Sequence, residues 1–200
     1  MRVDKGRALI RTPAFIFNKG ISLFSERQEI AYRLIRVKPL LRKLQHFKSA
    51  GKYNSLWYWH KAKNPLIIII NFLVISLGRI MPSMAVKNFL YRLVGMKIGR
   101  HVSIGLLAMF DVFFPELIEI GDNCIIGYNA TLICHEFKVD SWAKGKIRIG
   151  KNVLIATNST VLAGVEIGDN SIVSAMSLVN RDVPENVMVG GVPANFIKNL

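Results

Sequence analysis

The sequence predicts a mainly β fold in its second half, a prism walled by short strands, behind a basic and partly helical first half. Two observations carry this expectation. An aliphatic or aromatic residue recurs every six positions after residue 97, and the charge balance changes sign at the same place. Residues 1–97 hold 19 Lys/Arg against 3 Asp/Glu, a net +16, whereas residues 98–200 hold 8 against 10, a net −2. Composition excludes other classes. At 51% hydrophobic and 20% charged, most of the chain is too apolar to stay disordered. Two cysteines cannot supply a disulfide-stapled scaffold or a four-cysteine zinc site.

In the first half, Arg27 to Phe47 reads as helical, with Ile30, Leu34, Leu41 and Leu44 among basic residues and an interruption at Pro39. The segment 52–64 (KYNSLWYWHKAKN) interleaves aromatic residues with lysines. From Pro65 to Val86 run 22 mostly apolar residues, about 33 Å as a helix. That nominally matches a bilayer core of about 30 Å. Asn71, Arg79 and Pro82 oppose a clean crossing, and the uninterrupted apolar stretch suits a re-entrant or interface-lying segment.

Three readings compete for this half. A membrane-surface anchor accounts for the aliphatic run, the Trp57-Tyr58-Trp59 cluster and the excess of Lys/Arg together. A nucleic-acid platform leaves LIIIINFLVISL unexplained. A core helix packed under the β-prism, with a solvated basic face, is the third. The first covers the most features. The expectation is therefore a cytoplasmic protein, peripheral on the inner membrane face through residues 1–97, with no nucleic-acid partner. The apolar run starts too late for a cleavable signal peptide.

The second half is periodic. Its markers are Ile98, Ile104 and Phe110; Ile120, Ile126 and Leu132; then Ile149, Ile155, Val161, Ile167, Val173 and Val179 without a slip. Four positions after ten of the twelve markers stands a small or aliphatic residue, such as Val102, Ala108, Cys124, Ser159 or Ser171, the exceptions being Phe110 and Leu132 at the two breaks. A helix needs period 3.6 and an ordinary strand period 2. Period six suits a prism in which each coil turns its large and small residues inward. The repeat breaks twice, for ten residues between Phe110 and Ile120 and for seventeen between Leu132 and Ile149. The second break extrudes residues 137–146 (FKVDSWAKGK), and such loops on regular solenoids are where function concentrates.

The stretches IGDNCIIGYNATL, IGKNVLIATNSTVLAGVEIGDNSIV and DVPENVMVGGVPANFIK resemble the hexapeptide-repeat acyltransferases, in particular the sugar O-acetyltransferase branch. The resemblance covers residues 98–199. It implies a left-handed parallel β-helix with three hexapeptides per coil, giving a domain 98–200 behind an extension 1–97. It also implies a homotrimer, acetyl-CoA as acyl donor, and a saccharide or lipid-linked saccharide hydroxyl as acceptor. The competing expectation is a non-catalytic trimeric scaffold that carries a membrane-binding extension.

Residue by residue, the resemblance makes His135, at the foot of the extruded loop, the general base that takes the acceptor's hydroxyl proton. An imidazole suits that role near neutral pH. No second histidine lies within thirty residues of it, so no zinc site of the gamma carbonic anhydrase type, and no metal, is expected. A base needs a partner that fixes its tautomer and ring angle, and Asp111, reaching from the coil below, is the candidate for that. The family holds its acceptor with polar residues of that coil, so Asp111 is also expected to help hold the acceptor, at a place where asparagine is common. The apolar flank Val112–Pro115 points to an acceptor less polar than a free sugar, and Trp142 in the loop is expected to wall the acceptor channel. For the donor, Thr157 and Ala175 match turn positions along the pantetheine arm, and Asn180 and Arg181 the pair beside its lower part. Lys198 matches a basic residue that meets the nucleotide phosphates. Ala156, Ser174 and Met176 replace glycines, and Asn195 an arginine, which narrows the coenzyme groove. Cys124 falls on an inward position of the repeat, and Cys134 raises the possibility of a Cys/His nucleophilic pair.

Overall fold

Six-residue spacing becomes stacked geometry in the computed structural model, which describes residues 42–200. Ahead of the coils come a strand β1 (Gln45–Lys48), a single helical turn α1 (Trp59–Ala62), and two helices, α2 (Pro65–Ile80) and α3 (Met84–Leu93). The first coil is β2 (Lys97–Ile98), β3 (Ser103–Ile104) and β4 (Met109–Phe110). The second is β5 (Ile118–Ile120), β6 (Ile125–Ile126) and β7 (Thr131–Leu132), followed by a hairpin, β8 (His135–Phe137) and β9 (Ser141–Lys144). The third is β10 (Ile147–Ile149), β11 (Leu154–Ile155) and β12 (Thr160–Val161), and the fourth β13 (Glu166–Ile167), β14 (Ile172–Val173) and β15 (Leu178–Val179). Then β16 (Val187–Gly190) adds in parallel beyond β14, and β17 (Asn195–Asn199) folds back antiparallel on it.

Strands of like rank in successive coils pair in parallel, giving three sheets, β2-β5-β10-β13, β3-β6-β11-β14-β16-β17 and β4-β7-β12-β15. The register follows the markers: Ile98 lies beside Ile120, Ile120 beside Ile149, and Ile149 beside Ile167. All twelve markers are buried, as are the small residues that follow them, so the core is a column of aliphatic side chains inside the prism. Burying each large side chain fully contributes about 1.5–3 kcal/mol. The corners explain the remaining repeat residues. Asn123, Asn152, Asn170 and Asn186 all have φ between 55° and 58°, a left-handed turn that asparagine tolerates well. Their amides form a ladder, Asn123 Nδ2 to Asn152 Oδ1 at 2.9 Å and onward to Asn170 and Asn186 at 3.0 Å each. Beside them Gly121 leaves no room for a side chain, since a Cβ there would stand 2.5 Å from the Gly150 carbonyl oxygen.

The helices close the open end of the first coil. There the backbone carbonyls of β2, β3 and β4 have no further strand, and unpaired sheet edges need partners. Lys87 Nζ donates to the carbonyls of Ile104 at 2.9 Å and Gly105 at 3.2 Å. Asn88 Nδ2 donates to Val102 O at 2.8 Å, and Arg92 to Ile98 O and Gly99 O at 2.9 Å each. Asn71 Nδ2 donates to Val112 O at 2.9 Å. Burial of Lys87 in this role lowers its pKa below the usual lysine range. Ile75, Tyr91 and Met96 join the same core as the coils, with the Tyr91 ring edge-on to Phe110 at 4.8 Å.

Two local expectations change. The helix expected from Arg27 to Phe47 lies outside the described residues up to Leu41, and its last part is strand: Gln45–Lys48 pairs antiparallel with Ser141–Lys144. The hairpin offers a free edge, and its hydrogen-bond groups override a local helical pattern. The 22-residue apolar run is not one helix either. It divides at Met81–Ser83, where Pro82 cannot continue the hydrogen-bond ladder. Asn64 caps α2 by accepting from Leu66 N–H at 2.9 Å, with Pro65 in the first turn. Among the described residues no single helix is long and apolar enough to cross a membrane, although residues 55–62 and α2, bent by 94°, pass that test as a pair.

Candidate active site

The two breaks in the repeat meet at one corner of the prism. Phe110 of β4 lies beside Leu132 of β7, so Asp111, which opens the first break, stands next to the chain that leads through Cys134 to His135. The Asp111 side chain has no exposed surface. Its Oδ1 accepts from the backbone N–H groups of Phe113 and Phe114, both at 2.8 Å. Its Oδ2 accepts from Cys134 N–H at 2.6 Å and lies 2.6 Å from His135 Nδ1. A carboxylate only accepts, so the ring proton belongs on Nδ1 and the lone pair of Nε2 is left for chemistry. Backbone donors fix the carboxylate, and the carboxylate fixes the imidazole tautomer and plane.

Aromatic rings surround the histidine. Phe113, Phe137 and Phe114 stand 4.6, 5.1 and 6.1 Å from its ring centroid. Behind them Trp59 meets Phe113 edge-on at 6.4 Å, and Trp142 is stacked between Phe114 at 5.9 Å and Phe47 at 4.2 Å. Lys63 and Lys144 lie over the Phe114 ring, 5.2 and 5.0 Å from its centroid. The His135 side chain is 17% exposed, so one approach to it stays open. The site is apolar around one polar pair, with cations at its margin.

The sequence-derived residues fall into place unevenly. Asp111, the candidate partner of the base and expected acceptor contact, is enclosed and lies 2.6 Å from the imidazole. Trp142 does not project from a free loop, because β1 and the hairpin clasp it in a three-ring stack. Thr157 and Ala175 share one corner column, where Met176 N–H donates to Thr157 O at 3.0 Å. Asn180 and Arg181 follow β15 on the corner where Asp111 follows β4 and His135 follows β7. Lys198 is exposed on β17, opposite Met188. The residues expected at the donor thus spread over two corners and the end strand of the β3-β6-β11-β14-β16-β17 sheet without forming a single cluster. Two buried oxygens there, Ser174 Oγ and Asn180 Oδ1, have no hydrogen-bond partner among the described residues, and such atoms suit a polar ligand arm.

The Cys/His pair does not form. Cys134 points into the core, where burial first and the Asp111 charge second push its thiol well above the usual range. Glu136, next to the histidine, is paired with Arg42. The aromatic enclosure is what sequence reasoning missed. The run Phe113-Phe114 hinted at it, but Trp59, Phe47 and Phe137 come from three separate segments.

A prism of stacked hexapeptide coils, with an oriented histidine where the repeat breaks, defines the class of hexapeptide-repeat transferases. Residues 146–181 match the family described as bacterial transferase hexapeptide (six repeats), and residues 117–134 the hexapeptide repeat of succinyl-transferase. The chain is 42% identical over 158 residues to "Putative acetyltransferase YvoF" of Bacillus subtilis (strain 168), covering 78% of this chain and 91% of that protein. It is 34% identical over 109 residues to the galactoside O-acetyltransferase of Escherichia coli (strain K12), covering 50% and 54%. In fold it is similar to the hexapeptide-repeat containing acetyltransferase VCA0836 of Vibrio cholerae, with TM-score 0.56 and 22% identity over 68% of this chain and 91% of that one. The chain belongs to the hexapeptide-repeat acyltransferases, left-handed parallel β-helix enzymes, and here the β-helix carries a helical N-terminal segment.

Proposed function

We propose that the enzyme transfers an acetyl group from acetyl-CoA to a hydroxyl of a saccharide or lipid-linked saccharide, with His135 as general base. The observation that carries this reading is the 2.6 Å contact between His135 Nδ1 and Asp111 Oδ2. Enclosing a carboxylate costs free energy unless it is fully hydrogen-bonded. A scaffold has no use for a carboxylate enclosed to aim an imidazole, whereas a base needs one. Acetyl-CoA supplies an acetyl group on a thioester: the acceptor oxygen bonds to the acetyl carbon, the carbon–sulfur bond breaks, and the sulfur leaves. His135 Nε2 accepts the hydroxyl proton as that oxygen attacks and returns it to the departing sulfur. Asp111 is a positioning residue that stabilises the imidazolium while the proton is held.

The aromatic walls suit the apolar faces of a sugar ring, or an apolar group attached to it. Trp142 wall-stacks that space rather than reaching into it. Thr157, Ala175, Asn180 and Arg181 line the donor's path, with Lys198 supplying positive charge for its phosphates. In this reading residues 98–200 carry the chemistry of a homotrimer and residues 1–97 flank it. The test is thiol release from acetyl-CoA by the purified full chain with a panel of saccharides. His135→Ala is expected to lower turnover by about 10²–10⁴-fold with the fold retained. Asp111→Asn is expected to lower kcat while leaving the KM for acetyl-CoA unchanged. Full turnover by His135→Ala would overturn the assignment.

A further inference from the structure

The helix pair has its polarity reversed for a water-exposed element. Every cationic or amide side chain within α2 and α3 turns toward the β-helix: Asn71, Arg79, Lys87, Asn88 and Arg92 all donate to its backbone carbonyls. The outward side is left with twelve large apolar residues, among them Leu66 at 68%, Leu73 at 60%, Phe89 at 58% and Leu93 at 62% exposure. A soluble monomer rarely shows so large a contiguous apolar face.

We propose that this outer face lies flat on an anionic lipid bilayer, with α2 and α3 in the plane of the interface. Length decides against a crossing. Sixteen residues of α2 span about 24 Å, less than the bilayer core of about 30 Å, and its Ile68, Asn71, Ile75 and Gly78 are packed against the protein. Charge decides the partner. No acidic residue occurs from Ile30 to Phe110, so no carboxylate of that stretch repels an anionic surface. Where residues 55–62 bend into α2, exposed Trp57 and Tyr53 accompany exposed Lys52 and Lys61, the aromatic and basic mixture of a headgroup region. A second copy is the poorer occupant, because the flank made by residues 52–61 carries lysines and no carboxylate of its own, and two such flanks would repel. The proposal does not depend on the acyl-transfer reading, since it is tested without turnover.

The experiment is co-sedimentation of the full chain with phosphatidylcholine vesicles, with and without phosphatidylglycerol, at about 0.1 M and about 1 M salt, where the Debye length falls from about 10 to about 3 Å. Strong binding to the anionic vesicles is expected, with partial release at high salt and a remainder that only detergent removes. Leu73→Ser/Phe89→Ser should weaken the salt-resistant part by about tenfold or more. Lys52→Glu/Lys61→Glu, which leaves both helices untouched, should remove the preference for anionic vesicles. Unchanged binding by both variants would overturn the proposal. So would a wild-type chain that ignores vesicles and instead self-associates through this face, seen as a mass that falls in the double-serine variant.

Discussion

The coils and the helix pair that closes them solve the same problem with opposite polarity. In the coils every six-residue marker turns inward, so Ile104, Ile126 and Ile155 are fully buried and the corners carry asparagines. In α2 and α3 the polar side chains turn inward and most of the large apolar ones outward. The difference lies in what each element is packed against. Each strand of a coil faces the side chains of the other two sheets across the prism, an apolar environment. The helices face the end of the stack, a row of carbonyl oxygens, and only donors satisfy those. Amphipathicity thus follows the chemistry of the surface being covered, and a reversed helix is the expected outcome at an open sheet edge.

The comparison can be pressed by mutation. Ile155→Ala removes a fully buried marker from the middle of the stack and should cost about 2–5 kcal/mol in denaturant unfolding. Leu73→Ala on the outer helix face should change stability by no more than about 0.5 kcal/mol in lipid-free solution. Comparable losses at both sites would mean that the outer face is covered by protein.

Gly78 tests the junction between the two regions. A Cβ there would stand 2.6 Å from the buried Tyr91 ring, so Gly78→Ala should destabilise by about 1–3 kcal/mol, read as a lower thermal midpoint. No change in the midpoint would mean that α2 can lift from Tyr91 freely.

The smallest effect is electrostatic. Lys87 has a lowered pKa in the folded protein, so the unfolded chain binds more protons in the window below 10.5. Stability from this group therefore rises as pH climbs through its folded value toward 10.5, and the burden of the buried charge is greatest below that window. Tyr91 acts in the opposite sense above pH 10, because burial raises its pKa and the folded state keeps the proton longer. Unfolding measured at rising pH below 10.5 should gain stability relative to Lys87→Met, in which the rise is absent. Parallel pH profiles for the two proteins would show that Lys87 stays hydrated.

The sequence by itself determined the coils, because period six is a local property: each repeat contains its own inward residues and its own turn. It also located both breaks, and its resemblance to the hexapeptide-repeat acyltransferases singled out His135 and Asp111. Tertiary structure decided what those residues do together. His135 and Asp111 are 24 positions apart, and they meet because β4 pairs with β7 in a register that no single repeat encodes. Likewise, the strand Gln45–Lys48 exists because the extruded hairpin presents an edge, and the helix pair is reversed because the first coil ends in free carbonyls. Local pattern fixes how each segment folds. Which polar groups are left unsatisfied, and so which partners they take, is known only once the segments are stacked.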